Sequence, residues 1–224
     1  LGPGFDCLGL ALGLYNTVEM TMLEPGDGLQ FEMEGEGAGR ITGDSNNLIV
    51  RAANSVWEAA GYGPAGVRIK ASNNIPSGMG LGSSAAAAVS GLAAANALAG
   101  GVLSRSDLLR RAAHIEGHPD NAAAALFGGL VLVSAAEDEL MYTTLDIPPL
   151  KVAIAVPGVR LSTAEAREAL PKNVSMKDAV FNIGRAAFVV QALQRGDYEM
   201  LGWAMSDKLH QPYRRKLIPG FDAA

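Results

Sequence analysis

The chain has 224 residues, of which 49% are apolar and 18% are charged, and its formal net charge is −5 at pH 7. This composition is typical of a globular protein with a buried core and excludes a disordered chain. The acidic balance gives no electrostatic basis for binding nucleic acid or an anionic membrane. The single cysteine, Cys7, excludes an internal disulfide framework and agrees with a reducing compartment.

The two ends of the sequence indicate a piece of a longer protein. The chain opens on the loop Leu1 to Gly4 without an initiating methionine, and it closes on a turn at residues 219–222. We therefore expect segments to be missing at both ends. No apolar run of roughly eighteen residues is free of charge and glycine, so no membrane span is predicted, and no secretory signal is recognised.

The first third of the chain contains two segments in which apolar and polar residues alternate, and each predicts a half-buried strand. The segments run from Tyr15 to Leu23 and from Leu29 to Glu34, and the Pro-Gly-Asp-Gly turn between them predicts a β-hairpin. Apolar residues at helical spacing then predict a helix over Asn47 to Ala60, which ends before Gly61. A short strand is predicted at Val67 to Ala71.

The middle of the chain is dominated by an alanine-rich segment, Ser84 to Ala99. Alanine has the best intrinsic helix propensity, and the following Gly100-Gly101 suits a C-terminal stop, so a helix is predicted. Ser104 is the expected N-cap of a further helix that reaches about Glu116. An apolar strand is predicted at Gly128 to Ser134.

The last third follows an acidic, proline-punctuated stretch from Ala136 to Pro149. A domain boundary is placed there, which gives domains of residues 1–147 and 148–224. A buried strand is expected at Val152 to Val156. The helical patterns that follow cover Thr163 to Leu170, Met176 to Arg195 and Tyr198 to His210. Because strands and helices are interspersed without regular βαβ repetition, the α+β class is favoured over a doubly wound sheet.

The strongest functional signal is the glycine-rich loop that precedes the alanine-rich helix. Gly78, Gly80 and Gly82 lack a Cβ, so the backbone can turn tightly there and approach a ligand closely. The loop ends at Ser83-Ser84, where unpaired N–H groups and the positive end of the helix dipole favour a phosphate. The alternative reading is a plain glycine turn with a serine N-cap.

Two other nucleotide signatures are excluded by inspection of the same loop. A P-loop would have a lysine where Ser83 stands, and a Rossmann fingerprint would have its third glycine there. The hydroxyls of Ser83 and Ser84 can either cap the helix or reach a phosphate-bound Mg²⁺.

Several segments together resemble the homoserine kinase family of the GHMP kinase superfamily, and the resemblance covers essentially the whole chain. The matching segments are Leu1 to Gly9, Pro76 to Ala86, Glu116 to Asn121 with the following Phe127 to Gly129, Ser162-Thr163 with Arg167, and Gln211 to Arg214. The family's N-terminal strand, which precedes the first of these segments, is absent. Its C-terminal glycine-rich motif, which supports the phosphate site, is absent as well.

The resemblance implies a two-domain α+β fold, with an N-terminal domain like ribosomal protein S5 and a C-terminal ferredoxin-like domain. It implies Mg²⁺-dependent transfer of the γ-phosphate of ATP to the hydroxyl of L-homoserine, which gives O-phospho-L-homoserine for threonine biosynthesis in the cytoplasm. ATP and L-homoserine are the expected small-molecule partners, Mg²⁺ is the expected cofactor, and a homodimer is the assembly considered.

The resemblance also assigns residues to the nucleotide. The adenine side is expected at Asn47, with Asn46 as the alternative. The loop residues assigned to ATP are Pro76, Ser77, Gly78, Met79, Gly80, Leu81, Gly82, Ser83, Ser84, Ala85 and Ala86. Mg²⁺ is assigned to Glu116 and to a serine of the loop, for which Ser84 is taken and Ser83 is the alternative.

Homoserine carries an ammonium, a carboxylate and a primary hydroxyl, and the resemblance assigns residues to each. Asp6 is expected to bind the ammonium. Arg167 and Arg214 are expected to bind the carboxylate, because a planar guanidinium can contact both oxygens. The residues assigned to the substrate are Asp6, His118, Asn121, Arg167 and Arg214, and those assigned to catalysis are Asn121, Thr163 and Arg167. From the residues alone, Asp6 can also be an Asx-turn residue, and spacing favours a surface position for each arginine. His118 can also be an ordinary loop histidine, and Asn121 or Asp120 can do no more than cap the helix that follows.

Two rival functions stay open at this point. Another GHMP kinase, of the mevalonate or shikimate type, would act on a substrate that has no ammonium for Asp6. An ATP-binding sensor on the same fold would bind the nucleotide without turnover. For a homoserine kinase as for another GHMP kinase, a strong general base is not obligatory, because phosphoryl transfer depends mainly on positioning and on stabilisation of charge.

Overall fold

Two three-stranded sheets and eight α-helices make up the computed structural model, which describes residues 1–136, 139–155 and 161–221. The strands are β1 (Leu8–Leu10), β2 (Thr17–Leu23), β3 (Gly28–Gly35), β4 (Gly66–Asn73), β5 (Leu130–Ala136) and β6 (Glu139–Leu145). The helices are α1 (Leu48–Ala60), α2 (Ser83–Leu98), α3 (Arg105–Glu116), α4 (Asp120–Phe127), α5 (Thr163–Glu168), α6 (Met176–Arg195), α7 (Tyr198–Ala204) and α8 (Gln211–Arg214). Short 3₁₀ turns lie at Gly2–Gly4 and Arg215–Leu217.

The first sheet has the strand order β2-β4-β3, which corrects the predicted hairpin. Both strands form close to their predicted positions, but β4 lies between them, antiparallel to β2 and parallel to β3. Parallel neighbours need a crossover connection, and helix α1 supplies it between β3 and β4. The turn residues therefore reverse the chain without pairing the two strands they connect.

Two hydrophobic cores lie on opposite faces of strand β5, because successive side chains of a strand point to opposite faces. Val131 and Val133 belong to the larger core, which α1, α2 and β4 complete. Leu130 belongs to a smaller core against α6 and α7, where Val189 and Leu193 are buried. Strand β5 therefore links the sheet layer to the C-terminal helices.

The helix predictions are largely confirmed, because their ends are fixed by local capping. The Asn47 side chain accepts a hydrogen bond from the N–H of Ile49 at the start of α1. Ser104 and Asp107 form a reciprocal capping box at the start of α3. Helix α6 has the predicted bounds, and no helix among the described residues is long and apolar enough to cross a membrane.

After residue 136, one strand was missed by the sequence analysis and one predicted strand is wrong. Strand β6 was not predicted, although it pairs with β5 along its whole length, because its sequence is acidic at the start and polar on one face. The predicted buried strand fails for Val152 to Ala155, which are exposed and outside any strand, while Val156 lies outside the described residues. An apolar alternating segment becomes a buried strand only where a neighbouring strand pairs with it. The domain boundary at residue 147 stays a prediction.

The helix predicted over Tyr198 to His210 is wrong in its second half. Helix α7 ends at Ala204, and the buried carboxylate of Asp207 then accepts hydrogen bonds from the N–H groups of His210 and Gln211. These bonds start helix α8 instead of continuing α7. The apolar spacing did not reveal that the Asp207 carboxylate, rather than a carbonyl of α7, accepts the hydrogen bonds of these two N–H groups.

Opposite effects on stability are predicted for two glycine-to-alanine changes, one in the contact between α1 and α2 and one on an open face of α6. A Cβ on Gly91 would lie 2.6 Å from the carbonyl oxygen of Ile49, whereas a Cβ on Gly184 in α6 would meet nothing within 4 Å. We expect Gly91→Ala to lower the free energy of unfolding by about 1–3 kcal/mol, because the helices must move apart. The control, Gly184→Ala, is expected to raise it by up to about 1 kcal/mol, because alanine favours a helix. Urea unfolding measures both, and equal effects would contradict the close packing.

Candidate active site

A cavity of about 810 Å³ brings together most of the residues singled out from the sequence. Its walls come from the first loop of the chain, the glycine loop, the α3–α4 connection, helix α5 and the region of α8. The predicted residues that line it are Asp6, Pro76, Gly78, Met79, Gly80, Leu81, Gly82, Ser83, Ser84, Glu116, His118, Asn121, Thr163, Arg167 and Arg214. The substrate, catalytic and metal assignments therefore all fall in one place.

Three predicted loop residues and one distant residue do not line this cavity. They are Ser77, Ala85, Ala86 and Asn47. Asn47 is buried, and its side chain is used to cap α1 and to donate to the carbonyl of Thr42. The predicted contact of Asn47 with adenine therefore has no support from the cavity, and it stays a prediction.

The glycine loop lines the cavity and leads into helix α2. Gly78, Gly80 and Gly82 have φ values of 74°, 73° and 77°, in the left-handed region that favours glycine. Gly82 is the N-cap of α2, and no side chain caps this helix. Within the described part of the chain, the N–H groups of the first turn therefore have neither helical nor side-chain partners, and together with the helix dipole they can attract an anion.

Two side-chain oxygens that can bind a metal ion lie together at one end of this loop. The hydroxyl of Ser84 donates a hydrogen bond to Oε1 of Glu116, with an oxygen–oxygen distance of 2.7 Å. Ser84 lies in the first turn of α2 and Glu116 is the last residue of α3. A hard cation such as Mg²⁺ prefers oxygen ligands of this kind, so the pair fits the predicted metal site and favours Ser84 over Ser83.

Asp6 and Arg167 form a two-pronged ion pair across the cavity. The guanidinium donates to the two carboxylate oxygens at 2.7 and 3.0 Å. Asp6 has a φ of 59° and is the one non-glycine residue with positive φ among the described residues, so the backbone is strained where the carboxylate is presented. The side chains of Arg167 and Asp6 are 33% and 36% exposed, which leaves both accessible to a ligand.

Arg214 lies beside this pair. Its Nε donates to the carbonyl of Ala166 at 3.1 Å, which orients the guanidinium from the end of α8. Burial and the nearby charge of Arg167 lower the pKa of Arg214, although the group stays charged at neutral pH. The two guanidinium groups together can bind a carboxylate.

His118 and Asp120 form a second ion pair in the cavity wall. Their Nδ1 and Oδ1 atoms are 2.7 Å apart, and this hydrogen bond raises the pKa of His118 despite its burial. Burial acts to raise the pKa of Asp120, but the hydrogen bonds from His118 and from the N–H of Asn121 hold it below its usual range. Asp120 is the first residue of α4, and Pro119 is its N-cap.

The ligand atoms of Asp6, His118 and Asp120 all lie within 4.8 Å of one another, which is close enough to hold a metal ion. Two arguments count against this second metal site. Asp6 is already paired with Arg167, whose charge repels a cation. The raised pKa of His118 favours the protonated ring, which has no free lone pair for a metal. The site at Ser84 and Glu116 is therefore the better candidate.

Two cavity residues were missed as contributors by the sequence analysis, Phe5 and His210. The Phe5 ring lies 5.3 Å from the guanidinium of Arg167 and 4.5 Å from that of Arg214. His210 stacks on Phe5 with 4.7 Å between ring centroids. Phe5 lies within the matching segment Leu1 to Gly9 and His210 directly precedes the segment Gln211 to Arg214, but an aromatic residue in a sequence carries no signal of which distant groups it contacts.

Comparisons with known proteins agree on one family. The model of the GHMP kinases N terminal domain matches residues 47–129. A homoserine kinase of Natranaerobius thermophilus is 46% identical over 99% of this chain and 73% of its own length, and one of Caldicellulosiruptor bescii is 46% identical over 99% and 72%. A crystal structure of homoserine kinase from Cytophaga hutchinsonii superposes with a TM-score of 0.84 at 32% identity, covering 99% of this chain and 72% of that one.

More distant structures share only the fold. The L. major mevalonate kinase superposes with a TM-score of 0.64 at 18% identity, over 87% of this chain and 64% of that one. The predicted α+β fold of the GHMP kinase type is thereby confirmed.

The two histidines of the cavity, His118 and His210, are predicted to titrate on opposite sides of the ordinary histidine pKa of 6.5. His118 is expected above it, so its stabilising contribution is complete below pH 6.5 and is lost as the pH rises through the folded-state value. His210 is expected below it because of burial. Asp120→Asn should lower the pKa of His118 and leave that of His210 as it was. NMR titration of the ring protons measures both, and an unchanged His118 would contradict the ion pair.

Proposed function

The chain belongs to the homoserine kinase family of the GHMP kinases, and we propose that it transfers the γ-phosphoryl group of ATP to the hydroxyl of L-homoserine. The product would be O-phospho-L-homoserine. The observation that carries this proposal is the cavity in which the glycine loop faces the Asp6–Arg167 pair and Arg214. A phosphate site and a site for an amino acid's two charges thus share one space.

The phosphates of ATP would bind at the N-terminus of α2. The arginines among the described residues that line the cavity, Arg167 and Arg214, lie at the amino-acid end, and no lysine is among the described lining residues. Backbone N–H groups of the glycine loop and a metal ion would therefore meet the negative charge of the phosphates. ATP is the phosphoryl donor that the family uses, and the loop geometry agrees with it.

Ser84 and Glu116 would hold the Mg²⁺ ion. Their oxygens already lie 2.7 Å apart beside the N-terminus of α2, where the phosphates would lie. When bound, such an ion would supply positive charge that stabilises the phosphates during transfer. The contribution of the protein is to place two hard oxygen donors next to an anion site.

The amino-acid substrate would enter by exchanging ion pairs. Asp6 and Arg167 neutralise each other in the ligand-free cavity, and a zwitterion offers each of them a new partner of opposite charge. The ammonium would take Asp6, and the carboxylate would take Arg167 together with Arg214. The net charge of this end of the cavity is the same before and after binding, so no isolated charge is buried.

The transfer itself would depend on positioning. Asn121 packs beneath the glycine loop, where its Cβ and Cγ lie 3.9 Å from the position of a Cβ on Gly82, and Thr163 opens helix α5 on the opposite wall. These two side chains, with Arg167, would orient the substrate hydroxyl toward the γ-phosphate. The transition state of phosphoryl transfer is loose, so no strong base is needed, and Asp6 serves as an anchor.

We further infer that the site lies between residues 1–147 and residues 148–224. The first part would supply the nucleotide loop and Asp6, and the second would supply Arg167 and Arg214. All of these groups come from one chain, so the mechanism does not require a homodimer. The two rival functions differ in the acceptor: another GHMP kinase would phosphorylate a different acceptor, and a sensor would phosphorylate none.

A panel of acceptors tests the proposal against its rivals. The full-length protein is assayed for ADP production with homoserine, mevalonate and shikimate at saturating MgATP. We expect kcat/KM for homoserine to exceed the other two by about 10³-fold or more, because Asp6 would be left unpaired by a substrate without an ammonium. A preference for mevalonate or shikimate would support another GHMP kinase, and nucleotide binding without turnover of any acceptor would support a sensor.

Two substitutions are expected to separate the two ends of the site. Arg167→Ala should raise the KM for homoserine by about 30-fold or more and lower turnover, because charge-assisted hydrogen bonds to the carboxylate are lost, while the KM for ATP stays unchanged. Glu116→Gln should raise the Mg²⁺ concentration needed for half-maximal activity and leave the KM for homoserine unchanged.

Steady-state kinetics with each ligand varied in turn measure these effects. The matched control is Arg110→Ala, which removes an exposed arginine paired with Asp107 on the surface of α3. It should leave all the constants as in the unmodified protein. A rise in the KM for ATP caused by Arg167→Ala would contradict the assigned division of the cavity.

A further inference from the structure

A buried carboxylate anchors the chain next to the amino-acid end of the cavity. The side chain of Asp207 is fully buried and accepts four hydrogen bonds, from Nδ2 of Asn182 and from the N–H groups of Leu209, His210 and Gln211. Burial acts to raise the pKa of Asp207, but these hydrogen bonds hold it below its usual range, so the carboxylate stays charged. Helix α6 is thereby tied to the start of α8.

This anchor fixes the imidazole of His210. Its Nε2 lies 2.8 Å from the carbonyl oxygen of Gly2, and because a carbonyl only accepts, Nε2 must carry the proton. The Nδ1 atom is buried and has no hydrogen-bond partner among the described residues. Burial lowers the pKa of His210, so the ring is neutral at pH 7. A neutral ring adds no further positive charge beside Arg214.

The neutral imidazole supports Phe5, and Phe5 supports the arginines. The two rings are stacked, with an angle of 26° between their planes. The guanidinium groups of Arg214 and Arg167 lie 4.5 and 5.3 Å from the centroid of the Phe5 ring. An aromatic ring attracts cations, so it offsets part of the repulsion between two like charges held close together.

We infer that His210 and Phe5 are positioning residues for the amino-acid substrate: they hold Arg167 and Arg214 in the arrangement that receives the carboxylate. This inference rests on the proposed function. His210 fixes the first loop through the Gly2 carbonyl and fixes the Phe5 ring by stacking. Phe5 then precedes Asp6 directly, so the same contacts place the group that takes the ammonium. None of these contacts reaches the glycine loop.

Three substitutions of His210 separate its two contacts in the full-length protein. His210→Phe keeps an aromatic ring on Phe5 and loses the donor to Gly2, and His210→Gln keeps a donor and loses the stack. His210→Ala loses both. We expect the KM for homoserine to rise about threefold for each of the first two variants and about tenfold for His210→Ala, with the KM for ATP within about twofold of the original.

Phe5→Leu tests the second positioning residue and has a matched control. Leucine keeps an apolar side chain but removes the ring, so the KM for homoserine should rise about tenfold. The control is Phe181→Leu on α6, because Phe181 also lies near two cations, Arg185 and Lys208, at 4.8 and 4.6 Å, but is outside the cavity. It should leave both KM values unchanged. Phe5 is only partly buried, so its variant is expected to fold even if His210→Ala does not.

The possible outcomes separate the inference from the proposed function. An unmodified protein that does not phosphorylate homoserine would overturn both. An active protein whose KM for homoserine is unaffected by His210→Ala and Phe5→Leu would overturn the inference alone. So would variants that raise the KM for ATP and for homoserine equally, because a general loss of structure moves both constants.

Discussion

The site depends on the ion pair between Asp6 and Arg167, which joins residues 161 positions apart in the sequence. The pair holds the first loop of the chain against helix α5 and closes one side of the cavity. Both side chains are about a third exposed, and ion pairs of this kind contribute little to the stability of a fold. The importance of the pair lies in where it places two opposite charges. Because it is weak, we expect a zwitterionic ligand to replace it under the proposed function.

The two ends of the cavity are built by different physical means. The phosphate end comes from one continuous segment, in which three glycines with positive φ lead into an uncapped helix terminus. The anion site there is made of backbone groups of this segment, and Glu116 of α3 adds the distant oxygen of the candidate metal site. The amino-acid end is made of side chains from the first loop, α5 and α8, and it forms only when these elements pack together. Nucleotide binding can therefore tolerate changes that disturb the amino-acid end.

This difference explains how much the sequence could predict. Helix ends were predictable where a nearby side chain caps them, as Asn47 and Ser104 do. The glycine loop was predictable because its signal is also local: the glycines and serines that form it are neighbours in the sequence. The pairing of β2 with β4 was not, because β4 lies far along the chain and competes with the local turn for the same strand edge. Strand β6 was missed because its stability comes from pairing with β5 rather than from its own apolar pattern.

The most informative error concerns the segment around Asp207. Its apolar spacing continues the pattern of α7, yet the buried carboxylate stops the helix and starts α8. The same carboxylate fixes His210, which contacts Gly2 and Phe5, and through them the two arginines. A second departure from local preference, the left-handed backbone of Asp6, lies in the same part of the cavity. Local rules tend to fail where a fold is shaped for function, since strain and buried charge are retained there only when the surrounding structure supports them. Both departures surround the place where an amino acid's charges would bind, which is the reason to look there for the residues that set substrate choice.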